Sequence, residues 1–214
     1  MAIAKDAADE LLCTTRAVRK RLDLTRPVPR EVILECIRIS QQAPTGGNGQ
    51  GWRWLVVTDP QKRAALAELY RSVTSAYFPV ALQNARASGQ AQTARVYDSA
   101  QYLADHLHEV PAMVIPCAAG RPGETVGTQA AFFGSIFPAV WSFNLALRAR
   151  GLGTCLTTIH LMHEKEAAAI LGVPDDVTQV GLLPVAYTLG DDFRQADRPA
   201  PETVTYFEQW GAGL

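Results

Sequence analysis

The sequence predicts an α+β protein folded as one domain over residues 1–214, and three observations carry that prediction. Helical and strand-like segments mix without the regular βαβ alternation of a doubly wound sheet. Hydrophobic residues make up 48% of the chain and charged residues 19%, a globular composition with little charge for a surface wholly in water. At 214 residues the chain suits one well-buried domain, part of whose surface a partner would cover.

Residues 6–14 read as a short helix and "PREVILECIRISQQA", residues 29–43, as a stronger one. In the latter Val32, Ile33, Cys36, Ile37 and Ser40 recur at helical spacing, while Arg30, Glu31, Arg38 and Gln41 fall outward. Pro44 and the glycines after it end that helix. "WRWLVVTD" reads as a strand, and Asp59 before Pro60 caps a helix running to about residue 74. A further helix from about residue 94 places Val96, Ala100, Leu103 and Leu107 on one face. "AMVIPCAA" is a second strand and "GRPGETVG" a loop; residues 128–150 then form a long central helix bent at Pro138. "TCLTT" reads as a short strand, "HEKEAAAILG" as a helix closed by Gly172, and "QVGLLPVAYTLG" as a final buried strand. The polar, proline-punctuated tail ends in Tyr206, Phe207 and Trp210, aromatics suited to docking on a surface.

A formal net charge of -1 argues against nucleic acid or an anionic membrane as a partner. Residues 130–147 contain 18 positions without a charge, near the minimum for a membrane span. Gly134, Ser135, Pro138, Ser142 and Asn144 interrupt that run, which fits a buried or interfacial helix better. No apolar run follows a basic start at the N-terminus, so a cytoplasmic protein is expected. Cys13, Cys36, Cys117 and Cys155 are far apart and match neither a disulfide framework nor a CxxC metal pattern; buried thiols are expected.

Four features invite chemistry. Residues 16–26, "RAVRKRLDLTR", hold Arg16, Arg19, Lys20, Arg21 and Arg26 against Asp23, which reads either as a solvated face or as an anion site. "APTGGNGQGWRW" has four glycines in six residues, but it lies between helix and strand and lacks the Lys-Ser/Thr of a phosphate loop. "GLGTCL" fails the dinucleotide fingerprint because Leu156 stands at its third glycine. His160, His163 and Glu164 match no helix-borne zinc signature, so no metal site is expected and the histidines read as surface or capping residues. No GxSxG elbow occurs and no activating base stands beside Cys155, which leaves a hydrolase without support.

The order of the motifs says more than any one of them. Taken together, "TTRAVRKRLD", "QQAPTGGNGQGWRWLVV", "LALRARGLGT", "LLPVAYTLG" and "DRPAPETV" resemble the FMN-dependent nitroreductase family over essentially the whole chain. The resemblance implies a nitroreductase-like fold, a central, mostly antiparallel sheet flanked by helices with the long central helix at a homodimer interface. It further implies FMN bound where both chains contribute. By that similarity Arg16 holds the FMN phosphate and Arg198 closes on it, while Arg19 reaches the pyrimidine edge of the flavin, where reduction places negative charge. Pro44, Thr45, Gly46 and Asn48 match the loop brought from the partner chain. Gly151 and Gly153 turn the chain so that Thr157, Thr158 and Ile159 pass against the flavin ring, offering backbone N–H groups to it. No catalytic acid, base or triad is implied, because the chemistry belongs to the cofactor.

Three positions depart from the family pattern. Ala17, within the cofactor-binding stretch, replaces a common serine, and Thr15 stands where many members have another arginine; Gly51 replaces the usual proline before Trp52. The expected activity is transfer of a hydride from NADH or NADPH to FMN, then of electrons to a nitroaromatic, quinone or similar small acceptor, in a ping-pong cycle. Rival readings are a flavoenzyme of the same fold that dehydrogenates or dehalogenates, and a flavin-binding protein without turnover.

Overall fold

The computed structural model describes residues 4–212; residues 1–3 and 213–214, the ends of the expected domain, lie outside the described residues. Two compact units are distinguished. The larger, Arg16–Asp191, carries the sheet; the smaller comprises the described parts of residues 1–15 and 192–214 and contains helix α1 (Lys5–Thr14).

In the larger unit the sheet is built on β2 (Ala112–Ala119), an apolar run buried along almost its whole length, as a strand covered on both faces must be. It pairs antiparallel with β1 (Trp52–Val57) along one edge. Its other edge pairs with β4 (Val177–Gln179) and β5 (Leu183–Tyr187), and β5 in turn pairs with β3 (Leu152–Gly153), so every ladder is antiparallel. The α+β fold with a mostly antiparallel sheet is as expected. Helix α2 (Arg30–Ser40) buries Ile33, Cys36, Ile37 and Ser40 against α6 (Phe137–Arg148), which contributes Ala139, Val140, Phe143 and Leu147; both close on Trp52, Val114, Leu183 and Val185 of the sheet. Helix α7 (Glu164–Leu171) ends at Gly172 in the left-handed conformation, as its sequence predicts.

Between β1 and β2 the chain makes one long excursion, α3 (Pro60–Ala87) and α4 (Ala91–His106), which pack on each other. The Asp59 carboxylate accepts the Lys62 N–H at 2.9 Å and starts α3. That helix runs past the expected end because Leu66, Tyr70, Thr74, Phe78 and Ala85 continue its buried stripe, and Pro79 costs it only a local bond. At the neck of the excursion Arg63 donates to the carbonyls of Thr58 (3.3 Å), His108 (3.0 Å) and Val110 (2.5 Å). The buried face of α4 is Ala100, Leu103 and Ala104, and Val96 is exposed rather than inward.

Four other expectations are corrected. The uncharged run is two helices, α5 (Val126–Gly134) and α6, parted at Ser135 and Ile136, whose N–H groups donate to Phe132 and Phe133 in three-residue turns. Pro138 in the first turn of α6 has no N–H to continue a helix from α5, so the helix breaks instead of bending. Among the described residues Val126–Arg148 is the one stretch long and apolar enough to cross a membrane by length and composition, yet the inward face of α6 is a wall of the core. "TCLTT" is not a strand: β3 ends at Gly153, and beyond it Thr154 and Thr157 make single bridges to Ala17 and Leu182. "QVGLLPVAYTLG" is two strands rather than one, and Cys13 is exposed while the other three thiols are buried.

Gly151 and Gly153 serve different ends. Gly151 follows α6 with φ +72°, a left-handed turn with open space around it. Gly153 is demanded by packing: a Cβ there would lie 2.8 Å from Thr188 Cγ2 and 2.9 Å from Val18 Cβ. Gly153→Ala is therefore expected to cost about 2–3 kcal/mol by overpacking, against about 1 kcal/mol for Gly151→Ala by backbone strain; urea unfolding of the two variants measures the difference, and equal losses would refute the packing role.

Candidate functional site

The Arg-rich segment is tied to the sheet edge by its backbone. Val18 N–H donates to Thr154 O (2.9 Å), Asp23 N–H to Tyr187 O (2.8 Å), and Leu189 N–H to Arg21 O (2.8 Å). Most of its side chains are spoken for. Arg26 stacks on the Tyr187 ring at 3.4 Å, Arg21 Nε donates to Leu189 O, and Lys20 pairs with Asp98 of α4 at 2.5 Å, which holds the Asp98 carboxyl below its usual range. Asp23 is kept ionised by the Thr25 hydroxyl and by the N–H groups of Thr25 and Arg26. Arg19 turns to α4, its Nη1 donating to Ser99 Oγ at 3.3 Å, and also lies against Cys155. Burial pushes that thiol up to about 11, with the Arg19 charge opposing, so Cys155 stays a neutral packing group. Arg16 and Ala17 sit at the bridge to Thr154, half-buried and exposed respectively.

The expected flavin-facing strip follows Cys155 directly. Gly181 leaves room for it: a Cβ there would meet Leu156 Cδ1 at 2.5 Å and Thr157 O at 3.3 Å. Thr157 and Leu182 exchange two backbone hydrogen bonds (3.0 and 2.8 Å). The Thr157 hydroxyl donates to the Tyr70 oxygen at 3.3 Å and accepts a long bond from the Ile159 N–H at 3.5 Å. Two of the three expected amide donors are thus engaged within the protein. Of the three, the Thr158 N–H, on an exposed residue, has no partner among the described residues. Tyr70 couples this strip to Arg19, whose charge reaches its phenol.

A second group forms around the Pro44–Asn48 turn. Gly46 N–H donates to Ser135 Oγ (3.0 Å), Gln50 N–H to Thr45 Oγ1 (3.2 Å), and the Trp52 indole N–H to Ser135 O (3.1 Å). Asn48 and Gln50 both adopt positive φ, +55° and +47°, strain that side chains rarely accept and that marks functional turns. The turn walls a pocket of about 300 Å³ with Trp52, Ala119, Phe132 and Ile136. Its contacts run to α5 and β2, whereas those of Arg19 and Thr157 run to α3 and α4. Arg198 belongs to the smaller unit, exposed, with Nη1 donating to Asp197 O.

Sequence reasoning misread His160. It is completely buried rather than a surface or capping residue, with neither ring nitrogen bonded among the described residues, and burial pushes its pKa down to about 4. His163 is the residue before α7 and meets Ser72 Oγ at 3.1 Å. Among the described residues no three His, Cys, Asp or Glu side chains gather as a metal would need. Ser99, Asp98 and Ser135 escaped notice because each meets its partner across roughly eighty or ninety residues of chain, a pairing no local motif announces.

Residues 14–187 match the model of the nitroreductase family. Among solved structures, the FMN and NADPH-dependent nitroreductase NfnB from Sphigopyxis sp. strain HMH is similar, at 23% identity over 95% of this chain and 99% of that one, with TM-score 0.68. The iodotyrosine deiodinase bound to FMN and 3-iodo-L-tyrosine is 20% identical, covering 94% and 98%, with TM-score 0.67. A nitroreductase-like family protein from Bacillus cereus is 17% identical over 98% and 100%, also at 0.67. At these identities the likeness is one of fold.

The buried imidazole gives a pH signature. The folded pKa of His160 lies below its unfolded value, so its contribution is complete above about pH 6.5 and is lost as pH falls towards 4. From pH 6.5 to 5 the protein is expected to lose about 2 kcal/mol more than a His160→Leu variant; parallel unfolding free energies across that window would refute it.

Proposed function

The chain belongs to the nitroreductase family, and from that premise we propose that it is an FMN-dependent oxidoreductase working as a homodimer. Bound FMN would accept a hydride from NADH or NADPH and pass electrons on to a nitroaromatic, quinone or similar small acceptor in a ping-pong cycle. The observation that carries the reading is the meeting, through Tyr70, of Arg19 with the strip whose Thr158 N–H is unspent.

Each residue has a task that its chemistry fits. Arg19, half-buried and fixed by Ser99, sets a permanent positive charge where the reduced isoalloxazine needs one. The Thr158 N–H is the donor for the ring's redox-active edge, a narrower role than the three-amide strip the sequence suggested. Arg16 would take the phosphate, since guanidinium groups bind it by paired, charge-assisted bonds. Ala17 adds no hydroxyl beside it, so charge rather than hydroxyls carries that load.

The turn at Pro44, Thr45, Gly46 and Asn48 would serve the partner's flavin. Supporting the dimer, α5 has no buried residue although it carries Val126, Phe132 and Phe133, and Trp141 of α6 is 47% exposed. That much apolar surface calls for a cover, and a second copy offers the same surface in return. A cytoplasmic, soluble protein that binds neither nucleic acid nor membrane fits the near-neutral charge. A second reading keeps the cofactor and changes the acceptor: the fold is shared with an iodotyrosine deiodinase bound to FMN and 3-iodo-L-tyrosine, so reductive dehalogenation is the alternative half-reaction.

The purified protein mixed with FMN and desalted is expected to keep a flavin spectrum that bleaches under anaerobic NADH or NADPH. Arg19→Ala should weaken FMN retention about 10- to 100-fold, the worth of a charge-assisted bond. Loss of all flavin from the wild type would sink the cofactor assignment, and retained flavin that neither nicotinamide reduces would sink the reductase cycle.

A further inference from the structure

Behind the Thr157–Ile159 strip stands Tyr70. It projects from α3 on the same buried face as Leu66, Ala67 and Thr74 and is 2% exposed. A phenylalanine would fill that volume, so packing alone gives the hydroxyl no purpose, and burying an oxygen costs stability unless it is bonded. Its partner is the Thr157 hydroxyl, at 3.3 Å. Burial raises the phenol's pKa above the usual value, opposed by the Thr157 bond and by the Arg19 charge, so the group is neutral at physiological pH.

The consequences run through one proton. A threonine hydroxyl has a single proton to give, and Thr157 gives it to Tyr70. Its lone pairs are thereby turned to the Ile159 N–H, 3.5 Å away. The Thr157 backbone is already doubly bonded to Leu182, and the Thr158 N–H takes part in none of these bonds. Were the phenol absent, the Thr157 hydroxyl would rotate and the Ile159 amide would lose its acceptor.

Resting on the FMN reading, we propose that Tyr70 is a positioning residue of the cofactor site: its hydroxyl orients Thr157 and so holds the strip in the conformation that presents the Thr158 N–H to the flavin. The role is orientation, and no proton leaves Tyr70 during turnover. Ser99 and Tyr70, from the two helices of one excursion, then brace the two cofactor-facing elements separately, Arg19 by one and Thr157 by the other.

Two measurements on the full chain test this. In protein without FMN, amide exchange of Ile159, whose N–H is bonded to the Thr157 hydroxyl, is expected to speed up about 3- to 10-fold in Tyr70→Phe, as the net worth of one hydrogen bond implies. In protein loaded with FMN, Tyr70→Phe should retain the flavin yet reduce it about 3- to 10-fold more slowly with NADH or NADPH. Thr157→Val should lose the same factor, and the double variant no more than either single one. Wild-type exchange and reduction rates in Tyr70→Phe, or losses that multiply in the double variant, would overturn the proposal; a lowered Tm with both rates unchanged would show a structural role only. Faster exchange in the variant beside a wild type that retains no FMN would keep the brace on the strip, overturn its link to a flavin, and place the failure in the cofactor reading.

Discussion

No side chain fits at position 153, and the arrangement of the site depends on that. The absence lets Val18 and Thr188 close over the backbone of β3, which brings the Arg-rich segment into a bridge with Thr154 and hydrogen bonds with Tyr187 and Arg21's partner Leu189. Once that segment lies on the sheet edge, Arg19 has a fixed origin, and its side chain meets Ser99 and Cys155. Gly181 repeats the device just before the neighbouring β5, admitting Leu156 and seating the Thr157 strip beside Leu182. Two missing side chains thus set the separation between a cation and a line of amides.

The other half of the site rests on a broken helix. Where α5 gives way to α6, Ser135 offers both a hydroxyl and a carbonyl to partners outside the helix, and the Gly46 amide and the Trp52 indole take them. A continuous helix would have engaged that carbonyl in its own ladder. The positive φ angles at Asn48 and Gln50 are held by the Gln50 N–H bond to Thr45 and by the Gln50–Asn48 side-chain bond, so the turn keeps its shape through its own polar groups.

What the sequence reveals and what it hides divide along physical lines. Patterns with a short period were legible: the buried stripe of α2, the strands β1 and β2, the Asp59 cap and the Gly172 stop all arise within a few residues of chain. The length of α3 was hidden because a proline inside a helix and a proline ending one look alike until the buried stripe beyond it is seen to continue. The final apolar run looked like one strand because β4 and β5 share the same edge of β2 and are separated only by a glycine-bearing offset. The resemblance pointed to Arg19 and Thr157 as candidates, while the residues that hold them, Ser99 and Tyr70, belong to helices whose placement is tertiary. His160 was misread for the same reason, since nothing local tells a buried imidazole from a wet one.

The Arg63 clasp bears on how such a chain can change. β1 and β2 pair directly, Val57 opposite Met113, so the sheet is complete without anything that lies between them. One guanidinium gathers the outgoing carbonyl of Thr58 and the returning ones of His108 and Val110. The far end of the helical hairpin beyond that knot can therefore lengthen or shorten over evolutionary time while the register of the sheet beneath it is preserved, so long as the faces that carry Tyr70 and Ser99 keep their contacts.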